Sequence, residues 1–181
     1  MKLYQKGRSR PVSGNKKTKK SLKERISDAL INLMSEKEFS KITINEITDA
    51  AGVNRSTWFR NFASKGEALT FKIVQLWYRW SDEHQLDRAK YTVYNAKEFF
   101  NFVYEYRCFI KQVLDLGLQS TVYEAFWEVM KPQFSTGAAE CYRSRLYSYG
   151  LFGLLGEWNN RGYSETPDEM VNYYNKMMGI A

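Results

Sequence analysis

Apolar residues recur along this chain at helical spacing, and no convincing pair of alternating, strand-like segments occurs. From Ser21 onward, Leu22, Ile26, Ala29, Leu30, Leu33 and Met34 step by threes and fours, the rhythm of one helix face. Ser21 fits as N-cap, and the spacing predicts that this helix ends near Lys37–Phe39. Thr43-Ile44-Asn45-Glu46 is a capping box, in which a hydroxyl and a carboxylate three residues apart satisfy each other's orphan amides. It opens a short helix with Ile44, Ile47 and Ala51 on its apolar side. Gly52 breaks that helix, since glycine tolerates the left-handed conformation of a C-cap. Val53 plugs the corner, and Asn54 is a good N-cap for a second short helix running to about Asn61. Ser64-Lys65-Gly66-Glu67 is a further capping box. It opens a long helix with Leu69, Ile73, Leu76, Trp77 and Trp80 inward, ending around Asp87.

A linker with Tyr91 and Tyr94 follows. One helical segment is predicted over about 96–115, its apolar face formed by Phe99, Phe102 or Val103, Tyr106, Phe109, Ile110, Val113 and Leu114, with Gly117 as punctuation. Another covers about 119–131 and stops at Pro132. After Gly137 a long helix runs to about Asn160, closed by Gly162. Thr166-Pro167-Asp168-Glu169 is a capping box with proline at the first helical position, where its missing N–H does no harm. The last helix uses Met170, Tyr173, Tyr174, Met177 and Met178. The expected fold class is all-α with about nine helices and no internal repeat.

Composition narrows the function classes. The 181 residues carry a formal charge of +7, and its distribution matters more than its sum. Lys2, Lys6, Arg8, Arg10, Lys16, Lys17, Lys19 and Lys20 give residues 1–20 a charge of +8 with no acid; residues 21–69 are neutral and residues 70–181 carry −1. The first 20 residues can bury no face and read as a disordered basic arm. No run of about 18 apolar residues exists to span a membrane. The basic start lacks the apolar stretch of a secretory signal, so a cytoplasmic location is expected. Cys108 and Cys141 make neither a disulfide framework nor a zinc site, and they read as buried small apolar residues. The single histidine, His84, reads as a surface helix residue; no metal and no cofactor is expected. With one histidine and scattered acids, no nucleophile–base pair can be assembled, so enzymatic activity is not expected.

Residues 43–61 have the form of a helix–turn–helix: a short capped helix, a turn of Ala51-Gly52-Val53, and a second short helix with small polar and basic residues at its start. The run from Ile44 to Lys65, with Ala-Gly-Val in the turn, a threonine followed by two aromatics, Phe62, and a lysine opening the next helix, resembles the DNA-binding signature of the TetR family of transcriptional regulators. The resemblance covers about 21–69. Residues 70–181 are more loosely similar to that family's regulatory and dimerisation domain. Tyr149-Gly150-Leu151-Phe152-Gly153, then Glu157-Trp158 and Gly162, resembles the C-terminal subclass that includes the dihydroxyacetone-kinase operon regulator. The implied organisation is a basic arm (1–20), a helix–turn–helix DNA-binding domain (21–69) and a helical-bundle regulatory and dimerisation domain (70–181).

The resemblance assigns roles position by position. Thr43 caps the first short helix and touches a phosphate. Asn54, Arg55, Ser56 and Thr57 open the recognition helix beside base edges and backbone. Trp58 lies either against DNA or packed inward. Phe59 stands where the family usually has a tyrosine that gives its hydroxyl to a phosphate, and Asn61 where it often has histidine. Lys65 matches a phosphate-binding lysine at a helix start. Gly66 and Ala68 depart from the usual acid and leucine. Arg55 can pair with guanine, grip a phosphate, or remain a solvated charge.

Lys19 and Lys20 end the arm and join the DNA-contact set, against a merely solubilising role for the arm. The implied partners are double-stranded DNA, a second copy of the chain, and a small-molecule or protein effector. Candidate pocket residues are Trp77, Trp80, Phe102, Tyr106, Phe109, Phe126, Trp127 and Tyr149, which at helical spacing can equally be core. Candidate dimer-seam residues are Gly150, Gly153, Leu154, Trp158, Tyr173 and Met177; the glycines can equally serve packing within one subunit. The implied function is a homodimeric repressor modulated by an effector. The alternative is a co-regulator on the same fold that acts through protein contacts and binds DNA weakly or not at all.

Overall fold

The computed structural model describes residues 20–86, 96–131 and 137–179. Lys19 and the arm before it, Asp87, the linker with Tyr91 and Tyr94, and Pro132 lie outside the described residues. Within them the chain is helical without strands: α1 (Leu22–Met34), α2 (Ile44–Ala51), α3 (Arg55–Asn61), α4 (Lys65–Glu83), α5 (Ala96–Glu105), α6 (Arg107–Asp115), α7 (Gln119–Met130), α8 (Ala138–Asn160) and α9 (Pro167–Met178). A 3-10 turn, Phe39–Lys41, lies between α1 and α2. Two compact units divide within α4, one reaching Lys72 and the other starting at Ile73.

Local chemistry accounts for the helix boundaries. Ser21, Thr43 and Thr166 each accept the amide of the glutamate three residues on, and each glutamate returns to the cap amide. Gly52 closes α2 in the left-handed region at φ +62°, where a residue with a Cβ is strained. α1 is shorter than its periodicity implies. It stops at Met34, and the Ser35 hydroxyl donates to the Asn32 carbonyl. The predicted single segment over 96–115 is two helices. Tyr106 leaves helical geometry at φ −100°, ψ 15°, and the Arg107 guanidinium turns back to donate to the Tyr104 carbonyl at 2.5 Å. No glycine or proline marks this break, and the apolar period runs through it unchanged.

The first unit encloses Ile26, Leu30, Ile47, Trp58, Phe62 and Leu69. The Phe62 ring bridges Trp58 and Phe71, with ring centres 5.6 and 5.8 Å away. The second unit is built around Trp77, Phe99, Phe100, Phe102, Trp158 and Tyr174. Cys108 and Cys141 are exposed, which corrects the expectation that they are buried. His84 sits exposed past the end of α4, its ring tilted against that of Trp80 with centres 4.4 Å apart, and its Nδ1 2.8 Å from the Trp80 carbonyl oxygen.

Candidate nucleic-acid interface

α2, the turn at Gly52 and α3 form a helix–turn–helix whose three parts are tied by specific bonds. The Asn54 side-chain oxygen accepts from the Thr57 amide at 3.0 Å and from the Ser56 and Thr57 hydroxyls, both at 2.7 Å. One acceptor thereby caps α3 and fixes two neighbouring side chains. The turn is tied to α1 by Arg25, whose Nη2 donates to the carbonyls of Ala51 at 2.6 Å and Gly52 at 2.9 Å. A cation at the carbonyl end of α2 also complements that helix's dipole. No local sequence signal marks Arg25 for this role, since its partners lie 26 and 27 residues away.

The sides of α3 are sharply divided. Thr57 and Trp58 are buried, Trp58 only 1% exposed. Trp58 is therefore core and offers no surface to DNA, which corrects its place in the contact set. Thr57 is likewise spent internally, its hydroxyl on Asn54. Arg55, Ser56, Phe59 and Arg60 are exposed, Phe59 by 60%. They form two adjacent i, i+4 rows on one face. The Arg55 guanidinium lies 5.4 Å from the centre of the Phe59 ring. Half-buried Asn61 donates its amide to the Thr57 carbonyl at 2.7 Å.

Thr43 is exposed, but its hydroxyl is engaged on both sides: it donates to Glu46 at 2.8 Å and accepts the Glu46 amide. Lys37 also donates to that carboxylate, at 2.6 Å. These bonds, Lys37 first and then the Thr43 amide and hydroxyl, pull the Glu46 pKa down to about 2. Lys65 is more constrained than a free phosphate ligand. Its Nζ donates to the carbonyls of Phe39 at 2.5 Å and Ile42 at 2.9 Å, and it lies over the Phe39 ring. Burial, and then the nearby Lys37 charge, hold its pKa below the usual lysine value. Lys65 is thus a strut for the 3-10 turn.

Lys20 is paired with Asp28 at 2.5 Å, and the same carboxylate takes buried Lys72. Burial pushes the Asp28 pKa up, but the two lysines outweigh it and leave the net value lowered.

In the second unit the aromatic positions expected to line a pocket are mostly core. Trp77, Trp80, Phe102, Phe109 and Phe126 are buried. Phe102 meets Trp77, Trp80, Tyr106 and Phe126 ring to ring within 6 Å. Large rings at helical spacing have filled the interior rather than lined a cavity. Tyr149 is the opposite case: it is 59% exposed and stacked on Tyr123 at 4.5 Å. Half-buried Trp127 is covered by the Arg145 guanidinium at 3.6 Å. An open groove of about 510 Å³ does exist, lined by Trp80, His84, Lys97, Asn101, Tyr104 and Glu105, among others. Of the pocket residues expected from the sequence, it includes Trp80 alone.

Of the expected seam residues, Gly153, Tyr173 and Met177 are exposed and Gly150 and Leu154 half-buried. Trp158 is core: its indole N–H donates to the Glu165 carbonyl at 3.1 Å and its ring meets Phe100 and Tyr163. Tyr142, Leu146 and Tyr149, exposed apolar residues on α8, form a stripe that runs on to Gly153, and Tyr142 and Leu146 extend it beyond the seam residues expected from the sequence. A concavity of about 330 Å³ between α8 and α9 is lined by Leu154, Trp158, Met170, Tyr173 and Met177, among others.

Among the described residues no helix is long and apolar enough to cross a membrane. No curated protein sequence matches the chain. Residues 26–69 match the family model described as bacterial regulatory proteins, tetR family. Residues 93–179 match a TetR model described as transcriptional regulator C-terminal region. The two matched spans take in most of the chain, and the first contains the whole helix–turn–helix. The chain accordingly belongs to the TetR family of bacterial regulatory proteins and is a DNA-binding transcriptional regulator.

Proposed function

We propose that this regulator acts as a homodimeric repressor, with α3 as its recognition helix and with DNA affinity modulated through the second domain. In this reading 21–69 is the DNA-binding domain, preceded by a phosphate-gripping arm, and 70–181 is the regulatory and dimerisation domain. The observation that carries it is the partition of α3. Burial of Thr57 and Trp58 leaves Arg55, Ser56, Phe59 and Arg60 as one outward face, of a size that enters a major groove about 12 Å wide. Arg55 serves as base or phosphate contact, while Thr43, Asn54, Asn61 and Lys65 hold the surface that approaches the backbone. The arm contributes sequence-independent grip, each neutralised phosphate adding about 0.9 to the salt slope.

The exposed stripe of Tyr142, Leu146, Tyr149 and Gly153 on α8, with Tyr173 and Met177 on α9, supports pairing with a second copy. The glycine-bearing run in α8 supports a place near the dihydroxyacetone-kinase-regulator subclass. An effector would act by shifting the population between DNA-compatible and incompatible states.

The experiment is fluorescence anisotropy on duplex DNA from the protein's own promoter, comparing wild type with Arg55→Ala/Arg60→Ala. Both arginines are exposed, so the variant keeps its fold. A loss of specific binding upholds the reading. Equal binding by wild type and variant, or none by wild type at low salt, refutes it and favours the co-regulator that acts through protein contacts.

A further inference from the structure

Phe59 is an exposed phenyl ring on the face assigned to DNA. Its neighbour Trp58 is 1% exposed, so α3 does supply an interior, and Phe59 is turned away from it. Once α3 lies against DNA, a ring beside Arg55 and Arg60 gains by covering an apolar group and gains nothing from a polar one. The flanking groups restrict what that is. The Arg60 Nε reaches back to the Ser56 carbonyl at 3.3 Å, along the helix. The Arg55 guanidinium lies 5.4 Å from the ring centre, on the same face one turn earlier.

Phosphate oxygens offer nothing to a phenyl group. Of the base edges in the major groove, thymine alone presents an apolar substituent, its C5 methyl. The other edges present donors and acceptors that a phenyl ring would leave unpaired, which disfavours them. From these observations we infer that Phe59 is a specificity-determining residue that reads a thymine methyl. The inference rests on the proposed insertion of α3 into the major groove.

The geometry also sets a spacing. Arg55 and Phe59 are four residues apart, about 6 Å along the helix axis, and successive bases are about 3.4 Å apart. The thymine therefore lies within about two base steps of the base or phosphate that Arg55 contacts.

The test begins by selecting tight binders from a random duplex library with the full-length protein. Each thymine of the enriched half-site is then replaced by deoxyuridine, which removes the methyl and keeps the pairing. At one position affinity falls about fourfold, the worth of one buried methyl group. Phe59→Ala binds the thymine duplex more weakly by a similar factor and is indifferent to deoxyuridine there. Its melting temperature is that of wild type, because the ring is exposed. If no sequence is enriched, both this inference and the proposed base reading fail. If a sequence is enriched but no thymine is methyl-sensitive, or Phe59→Ala keeps the full deoxyuridine penalty, the inference alone fails. A 5-methylcytosine·guanine pair that binds tighter than thymine·adenine at that position would also overturn the thymine assignment, since methylated cytosine would then be the source of the methyl.

Discussion

Gly52→Ala tests whether Arg25 and the turn act as one unit. Gly52 has φ +62° and ψ +43°, a conformation that costs a residue with a Cβ about 1 kcal/mol. The added carbon would also sit 3.0 Å from Arg25 Nη2. That nitrogen is the end of a flexible chain, but two carbonyls at 2.6 and 2.9 Å pin it. Hydrogen bonds from a charged donor contribute about 1.5–3 kcal/mol when fully made, so displacing this pair by a few tenths of an ångström loses about a further 1 kcal/mol. The expected total is about 2 kcal/mol. Arg25→Met removes both bonds outright and costs about 2 kcal/mol, moderated by its partial exposure. The double variant is the informative one. Without the guanidinium, Gly52→Ala keeps only its backbone penalty, so the two single costs overshoot the double by about 1 kcal/mol. Urea unfolding of all four proteins, followed by circular dichroism, measures this. Strict additivity would show that Arg25 and the turn do not act as one unit, and an Arg25→Met variant as stable as wild type would show that Arg25 does not hold the turn.

The remaining predictions concern pH and assembly. Glu46 has its pKa lowered to about 2 from an ordinary 4.5, so its contribution to stability is fully present above about pH 4.5 and is lost as pH falls towards 2. Asp28, also lowered, acts in the same direction. Acid titrations should therefore show a shallower loss for Glu46→Gln than for wild type; parallel curves would contradict the assignment. Leu146→Glu/Met177→Glu places charge on two exposed positions, so each chain folds normally. Sedimentation velocity should show a shift from dimer to monomer at micromolar concentration, and an unchanged sedimentation coefficient would remove this face from the interface.

Much of the fold was legible because its boundaries are set by local chemistry. Thr43 with Glu46, Asn54 with Thr57, Thr166 with Glu169, and Gly52 each act over three or four residues, within the reach of a sequence motif. What was missed depends on distant partners. The Lys65 strut joins residues 23 and 26 positions apart, and the Arg25 clamp is equally long in sequence. The kink at Tyr106 leaves the hydrophobic period intact on both sides, so periodicity alone reads α5 and α6 as one helix.

The candidate site was legible in outline and ambiguous residue by residue. Trp58 and Phe59 show why. Both are large aromatics in the same short helix, and composition cannot say which one faces inward. A helix turns about 100° per residue, so anchoring either ring sends the other far round the axis. Phe62 decides the matter: it lies four positions after Trp58, is itself buried, and its ring centre is 5.6 Å from the indole. Phe62, just past the end of α3, closes on Trp58 from the inside, and the pairs at 55 and 59 and at 56 and 60 are then outward rows. The same rule fails in the second unit. There aromatic residues share the inward positions with aliphatic ones, and the choice between a filled core and a lined cavity depends on how closely helices approach. Phe102, meeting four rings at once, marks a place where they approach closely enough to leave no cavity.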